Sequence, residues 1–155
     1  MRVLVLSDSH GNIENMRSAV ERTQPQLIFH LGDYVRDGLA LASLYPDIPV
    51  VQVAGNCDAG QLCPPPLLRL YELEGHRILL THGHQYHVKS GLLALEYAAM
   101  EQGAELALFG HTHIPQKETS GNVTLLNPGS IGSVQPSFAV IETENRQLRT
   151  ALIEL

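Results

Sequence analysis

The stretch from Arg2 to Asn12 constrains the fold most, because a short apolar run is broken abruptly by a polar turn. Its first part, Val3 to Leu6, is continuous and partly β-branched, which is typical of a strand buried on both faces. Asp8 and His10 follow two residues apart, and on an extended segment such side chains point the same way. A carboxylate and an imidazole leaving a strand end together could hold a divalent metal. The alternative is a polar turn in which Asp8 caps the next helix.

The same event recurs twice in the first half of the chain. Strands predicted over 26–30 and 50–53 end in Gly32-Asp33 and in Gly55-Asn56-Cys57-Asp58. In an open parallel sheet, the carboxyl ends of the strands are where ligands bind. The connecting segments predict helices over 12–23 and 38–45, so this half forms a βαβαβ unit.

The second half alternates strands and turns around one helix. The pattern predicts a helix over 90–102 and strands over 67–73, 77–81, 105–109, 116–118, 123–126, 138–142 and 147–153. Two of these strands end in His82-Gly83-His84 and in His111-Thr112-His113. A βαβαβ front and a hairpin-rich back predict an α/β (α+β) fold of two mixed β-sheets, packed as a sandwich flanked by helices. At 155 residues, the chain suits one domain over 1–155.

Composition excludes several classes of protein. The formal net charge of −6 argues against a protein that grips nucleic acid through its surface potential. No stretch is long and apolar enough to cross a membrane, and the first apolar run is too short for a signal peptide. Cys57 and Cys63 fit neither a disulfide framework nor a zinc-ribbon spacing. We therefore expect a cytoplasmic protein without a membrane partner.

Five polar blocks in order, each at a strand end, give the chain a recognisable signature. They are D-S-H at Asp8 to His10, G-D at Asp33, G-N-C-D at Asn56, T-H-G-H at His82, and G-H-T-H at His111 to His113. With these blocks, and with Asn127-Pro128-Gly129-Ser130, the chain resembles the calcineurin-like metallophosphoesterases, specifically their small bacterial and archaeal phosphodiesterase branch. The resemblance spans nearly the whole chain. It implies a metal-dependent phosphodiesterase acting on small phosphoesters, and it leaves a homo-oligomer open.

The resemblance also implies a ligand set for two divalent transition-metal ions. Asp33 would bridge the ions, Asp8, His10 and His113 would complete the first site, and Asn56, His82 and His111 would complete the second. Mixed nitrogen and oxygen ligands suit manganese or nickel, with iron, cobalt or zinc as alternatives. Two ions can stabilise the attacking and leaving oxygens of an in-line displacement, and metal-bound water is the expected nucleophile.

Beyond Asp33 and Asn56, three further residues are expected to act in catalysis. His84 could touch the phosphate or only support His82, and Asp58 is expected to orient a neighbour. Cys57 stands where the larger phosphatases of the superfamily have a histidine that protonates the leaving group. A thiol is a poorer proton donor near neutral pH, so we expect the best activity on esters with good leaving groups.

Each of these residues also has a purely structural interpretation. The histidines could be hydrogen-bonded core residues. The segment from Asn127 to Ser130 is expected to be a loop whose role is to support the turn at His111 to His113. The remaining histidines are expected to be structural: His30 a residue with satisfied hydrogen bonds beside Gly32, His76 a solvated turn residue and His87 a surface residue.

Two other functions remain open at this stage. One is a non-catalytic scaffold like the retromer subunit of this fold, which has lost key ligands; the presence here of every expected ligand counts against it. The other is a nuclease, which would want a basic surface that this acidic chain lacks.

Overall fold

Ten strands and three α-helices make up the computed structural model, which describes residues 1–155. The strands are β1 Arg2–Leu6, β2 Leu27–His30, β3 Val50–Gln52, β4 Leu68–Leu73, β5 His76–Thr81, β6 Leu106–Leu108, β7 Gln116–Ser120, β8 Val123–Asn127, β9 Ser137–Glu144 and β10 Gln147–Glu154. The helices are α1 Ile13–Thr23, α2 Val35–Leu44 and α3 Leu93–Glu101.

The strands form two mixed five-stranded sheets. The first has the order β10-β9-β1-β2-β3, and the second has the order β4-β5-β6-β8-β7. In the first sheet β1, β2 and β3 are parallel, whereas β9 runs antiparallel to β1 and β10 runs antiparallel to β9. In the second, β5, β6 and β8 are parallel. Two parallel cores thus bring the carboxyl ends of their strands toward the ligand-binding edge.

Alternation along β1 shows how the layers are stacked. Val3 and Val5 pack into the apolar cluster between the sheets, while Leu4 and Leu6 pack with α1 on the outer face. A third cluster buries the outer face of the second sheet against Leu95 and Ala99 of α3. Because period-two alternation serves two apolar layers, β1 is buried from Val3 to Leu6. The predicted sandwich of two mixed sheets flanked by helices is confirmed.

Helix α1 begins where the sequence predicts. The side chain of Asn12 accepts a hydrogen bond of 3.1 Å from the backbone N–H of Asn15 and so caps the helix. Met16, Ala19 and Val20 form its buried face. Asp8 therefore does not act as the cap.

Some predicted boundaries are wrong. Helix α2 begins at Val35, three residues before the predicted start, and α3 is shorter than predicted at both ends. His76 is the first residue of β5 rather than a solvated turn residue. Its side chain is only 13% exposed, and its Nδ1 lies 2.7 Å from Glu105 Oε1. The turn before it is Glu74-Gly75, both with positive φ, a conformation that local sequence did not assign.

None of the helices is both long enough and apolar enough to pass through a membrane.

Candidate metal centre

Asp8 lies at the centre of the candidate site and is completely buried. Its Oδ2 accepts hydrogen bonds from Ser7 Oγ at 2.6 Å and from the backbone N–H of His111 at 3.1 Å. Its Oδ1 has no hydrogen-bond partner. A buried carboxylate oxygen without a partner is unfavourable unless a cation faces it.

Four predicted ligands surround this unpartnered oxygen. The ligand atoms of Asp8, His10, Asp33 and His113 all lie within 4.8 Å of one another. His113 Nε2 is 3.1 Å from Asp8 Oδ1, and His10 Nε2 is 3.9 Å from the same oxygen. These are the residues assigned to the first site by the family resemblance.

Asp33, a member of this group, also lies close to His82. Its Oδ2 is 3.8 Å from His10 Nε2, and its Oδ1 is 3.5 Å from His82 Nε2. The backbone N–H of Cys57 also donates to Oδ1, at 2.9 Å. The two carboxylate oxygens of Asp33 thus lie near different imidazoles.

The tautomer of His82 is fixed by its surroundings. Its Nδ1 lies 2.8 Å from the carbonyl oxygen of Leu31, and because a carbonyl only accepts, Nδ1 carries the proton. Nε2 then presents a lone pair, is buried and has no hydrogen-bond partner. An imidazole whose other nitrogen donates to a carbonyl is the usual arrangement for a metal ligand.

The other two predicted ligands of the second site are placed less tightly. The ring of His111 lies 5.1 Å from the ring of His82, centroid to centroid, in an edge-to-face contact. Asn56 is exposed, and its amide nitrogen contacts Cys57 Sγ at 3.7 Å rather than any other predicted ligand. The structure therefore brings six of the seven predicted ligands together by close contacts, and Asn56 remains at the rim.

The backbone at the site differs from the sequence-based expectation. Asp8 and His10 do not continue an extended strand, because their φ angles are +54° and +44°. Asp33, His111 and His113 also have positive φ, between +57° and +69°. For residues other than glycine, this left-handed region is disfavoured and is held only by surrounding contacts. Concentrated backbone strain of this kind is common at functional sites.

Two glycines permit the close approach of the loops that carry the ligands. A Cβ on Gly110 would collide with Ser7 Oγ and Asp8 Oδ2. A Cβ on Gly55 would collide with Asp33 Oδ1. Each glycine in the G-H-T-H and G-N-C-D blocks therefore makes room for a carboxylate from another strand end.

Asp58 holds the Asp33 loop by its carboxylate. Its Oδ2 accepts from the backbone N–H groups of Asp33 at 2.9 Å and Gly55 at 2.8 Å, and its Oδ1 accepts from Val35 N–H at 2.9 Å. The carboxylate is 2% exposed and lies one shell away from the ligands. It contacts backbone only, so it orients Asp33.

Sequence reasoning missed a second supporting carboxylate, Asp37. Its Oδ2 accepts from Ser9 Oγ at 2.8 Å and from Gly11 N–H at 2.7 Å, which fixes the turn that carries His10. Ser9 Oγ also lies 3.0 Å from Nε2 of the buried His30, whose Nδ1 has no hydrogen-bond partner, so the prediction of a satisfied residue holds for one ring nitrogen only. In the sequence, the only signal was an acid next to the predicted start of α2, and the neighbouring residues do not indicate which loop its side chain contacts.

The loop from Asn127 to Ser130 supports the site, as predicted. Asn127 Nδ2 donates to the carbonyl of Gly110 and to Thr112 Oγ1, both at 3.0 Å. Ser130 Oγ donates to the carbonyl of Asp8 at 2.8 Å. His87, also as predicted, is exposed.

The titrating groups around the centre are perturbed in opposite directions. Contact with the Asp8 carboxylate raises the pKa of His113. Burial lowers the pKa of His111 and of His84. The ring of His84 lies 5.6 Å from that of His82 and 6.2 Å from that of His111, so it borders the second half of the centre.

Cys57 is exposed but stays protonated near neutral pH. Desolvation, followed by the hydrogen bond to and the charge of Asp33, raises the pKa of its thiol to about 11. A thiolate is therefore scarce at this position, and the thiol is a weak acid.

The residues present fit divalent metal ions. Asp8 Oδ1 and His82 Nε2 are 3.8 Å apart in the interior, and the nitrogen closest to Asp8 Oδ1 is His113 Nε2 at 3.1 Å, itself a predicted ligand. Carboxylates and imidazoles in this mixture are typical ligands of transition metals.

Comparisons with known proteins agree with this description. The calcineurin-like phosphoesterase superfamily domain matches residues 1–146. The chain is 36% identical over 153 residues to the probable metallophosphoesterase YsnB of Bacillus subtilis, covering 94% of this chain and 86% of YsnB. It is 28% identical over 170 residues to the phosphodiesterase YfcE of Escherichia coli, covering 93% of this chain and 89% of YfcE.

A solved structure that is not named as a phosphoesterase shares the fold. Vps29 from Entamoeba histolytica, complexed with Zn²⁺, matches with a TM-score of 0.73 at 21% identity and covers 99% of both chains. At that identity the likeness concerns the fold.

Proposed function

The chain belongs to the calcineurin-like phosphoesterase superfamily, and on that premise we propose that it is a metal-dependent phosphodiesterase with a dinuclear centre. The observation that carries the proposal is Asp33. Its carboxylate is buried, with Oδ2 3.8 Å from His10 Nε2 and Oδ1 3.5 Å from His82 Nε2. The phosphodiesterase name of the relative YfcE supports the same class of substrate.

The ligands divide into two groups around Asp33. Asp8, His10 and His113 would hold one ion, and His82, His111 and Asn56 would hold the other. When bound, the ions would supply charge stabilisation of the phosphoryl oxygens and a water acidic enough to attack at neutral pH. Manganese or nickel suits this donor set, with iron, cobalt or zinc as alternatives.

The protein's own residues orient these groups. The Leu31 carbonyl fixes the tautomer of His82, and Asp58 holds the backbone of Asp33. Asn56 at the rim would have to turn inward to complete the second group, whose ligands other than Asp33 carry no negative charge. His84 borders the same side, and in this proposal it donates a hydrogen bond to a phosphoryl oxygen.

The leaving group receives little help from this chain. Cys57 occupies the position of the proton donor expected from the larger phosphatases, and a thiol is a weaker acid than the imidazolium that it replaces. We therefore propose that diesters with weakly basic leaving oxygens are the best substrates. Esters with strongly basic leaving oxygens would need protonation from elsewhere.

The decisive experiment removes the bridge. In Asp33→Asn, metal content measured by mass spectrometry should fall, and hydrolysis of a bis-aryl phosphodiester should drop at least about a hundredfold, since even outer-shell changes cost 10–100-fold. Asp47→Asn is the matched control, because Asp47 is exposed and makes no ion pair. Circular dichroism should show both variants folded.

Two outcomes would contradict the proposal. Undiminished turnover in Asp33→Asn, or in protein stripped by a chelator, would exclude a dinuclear phosphodiesterase. Full metal occupancy without hydrolysis of any phosphoester would instead favour the alternative of a protein-interaction scaffold, for which the shared fold with Vps29 is the supporting observation.

A further inference from the structure

Arg36 lies beside the candidate centre without an acidic partner. Its guanidinium carbon is 4.5 Å from the centre of the Tyr34 ring, and it forms no ion pair with any carboxylate. The Tyr34 ring in turn contacts His10 edge-to-face, with 5.0 Å between centroids. Tyr34 thus contacts both the unpaired guanidinium of Arg36 and the predicted metal ligand His10.

A small cavity opens between this stack and the G-N-C-D block. It has a volume of about 210 Å³ and is lined by Tyr34, Arg36, Cys57, Asp58 and Gln61. Both walls adjoin predicted ligands, because Tyr34 follows Asp33 and Cys57 follows Asn56. A group attached to a phosphoester at the centre could reach this cavity.

The backbone next to Arg36 is fixed by contacts of the two preceding residues. Tyr34 has a φ of +67°, and the N–H of the next residue, Val35, donates to Asp58 Oδ1 at 2.9 Å. Arginine side chains are costly to order, but a guanidinium stacked on an aromatic ring keeps its donor edge free and oriented. The contact with Tyr34 thus orients the planar guanidinium of Arg36, a hydrogen-bond donor that has no acidic partner in the protein.

The one carboxylate in the cavity does not compete for this donor. Asp58 is 2% exposed, and both of its oxygens already accept backbone N–H groups. The face of Tyr34 under the guanidinium is covered, so a flat ring cannot stack there. A phosphate or carboxylate matches the free guanidinium edge by paired hydrogen bonds.

We propose that Arg36 and Tyr34 form a subsite that binds an anionic group, phosphate or carboxylate, carried on one arm of the phosphodiester substrate. The inference rests on the proposed function and deepens it, because it specifies the class of diester. Substrates with a second negative charge would be preferred over neutral-armed ones.

The test uses 4-nitrophenyl phosphodiesters whose second arms have equal length and end in a methyl, a carboxylate or a phosphate group. For the unmodified protein, kcat/KM should be about tenfold or more higher for the two charged arms, as expected for charge-assisted hydrogen bonds. Arg36→Gln should remove that gain, so that the ratio of kcat/KM between the charged arms and the methyl arm falls to about one. Arg36→Lys should keep part of the gain, since lysine retains the charge but not the paired donors.

Arg146→Gln is the matched control, because Arg146 is exposed, makes no ion pair and lies in the β9–β10 turn at the opposite end of the first sheet. It should keep the full preference. An equal loss in both variants would assign the effect to net charge and overturn the subsite.

A binding measurement separates this inference from the proposed function. Calorimetry with non-hydrolysable phosphonate analogues of the methyl and carboxylate arms needs no turnover, and the carboxylate analogue should bind about tenfold tighter unless Arg36 is replaced. Hydrolysis of all three esters without an arm preference would leave the phosphodiesterase intact and refute the subsite. Equal binding of both analogues, or tighter binding of a neutral aromatic arm, would also refute it.

Discussion

At the scale of single residues, His30 is a titrating group that the fold holds neutral. Burial lowers the pKa of His30 to about 4, although nearby carboxylates oppose the shift. In the unfolded chain the imidazole has an ordinary pKa near 6.5 and binds a proton more readily. The native state therefore loses stability as the pH falls through 6.5, and the loss is complete near pH 4.

This predicts that metal-free protein is about 3 kcal/mol less stable near pH 4 than near pH 7 through His30 alone, at 1.36 kcal/mol per pKa unit. Urea unfolding at a series of pH values measures the slope. His30→Asn should flatten the profile between pH 6.5 and 4, whereas His87→Asn, at an exposed position, should leave it unchanged. An unaltered slope in His30→Asn would mean that other groups control the acid limb.

Cys57 sets a second prediction at the residue scale. Because a thiol is a weaker acid than an imidazolium, Cys57 should give little proton assistance, so hydrolysis rates should fall steeply as the leaving-group pKa rises. Cys57→His places a better donor there and should speed alkyl diesters by about 10²–10⁴-fold while sparing aryl ones. Cys63→His, at the other exposed cysteine, is the control.

Metal content must be measured alongside, because the new imidazole could capture an ion. A flat dependence on leaving-group pKa in the unmodified protein, with chemistry rate-limiting, would show that another residue supplies the proton. His84 would then be the first residue to examine.

At the scale of elements, the strand-end loops pack closer than side chains normally allow. Gly55 has φ −96°, so any residue suits its backbone, and only the approach of Asp33 requires glycine. Gly55→Ala should therefore shift Asp33, destabilise the fold by about 1–3 kcal/mol and weaken metal binding by at least about tenfold. Gly38→Ala is the contrast, because its Cβ would meet only the end of the flexible Gln52 side chain.

Chemical denaturation and metal titration measure both effects. Gly38→Ala should stay within about 1 kcal/mol of the unmodified protein, since alanine is favoured over glycine in a helix. Equal behaviour of the two variants would mean that the loop at Gly55 adapts to the extra carbon.

At the scale of the whole molecule, the candidate centre joins the two sheets. Asp8, His10 and Asp33 follow strands of the first sheet, whereas His82, His111 and His113 follow strands of the second. Backbone contacts already connect the two groups, as in the hydrogen bond from His111 N–H to Asp8. An ion held by both groups would bind only the folded chain and so stabilise the sandwich.

Metal at a hundredfold excess over its dissociation constant adds about 2.7 kcal/mol, which for a chain of this size raises Tm by about 5–10 °C. Differential scanning calorimetry before and after chelation measures the shift. His113→Ala should abolish most of it, and His87→Ala should keep it. A Tm unmoved by chelation of fully loaded protein would contradict an inter-sheet ion.

The sequence by itself determined the elements and the positions of the chemistry. Local patterns such as the apolar run of β1 and the Asn12 cap depend on neighbours in the chain, so they are readable without a fold. The five polar blocks were likewise visible, because each follows a strand directly. Their resemblance to one superfamily then gave the ligand set.

Only the tertiary structure decided how these blocks meet. The left-handed backbone at Asp8 and His10, the support from Asp37 and Asp58, and the place of His76 in β5 all depend on contacts between residues far apart in the chain. The stacking of Arg36 on Tyr34 and the outward position of Asn56 belong to the same class. Periodicity reports burial and local geometry, whereas the direction of a side chain in a loop is set by whatever packs against it.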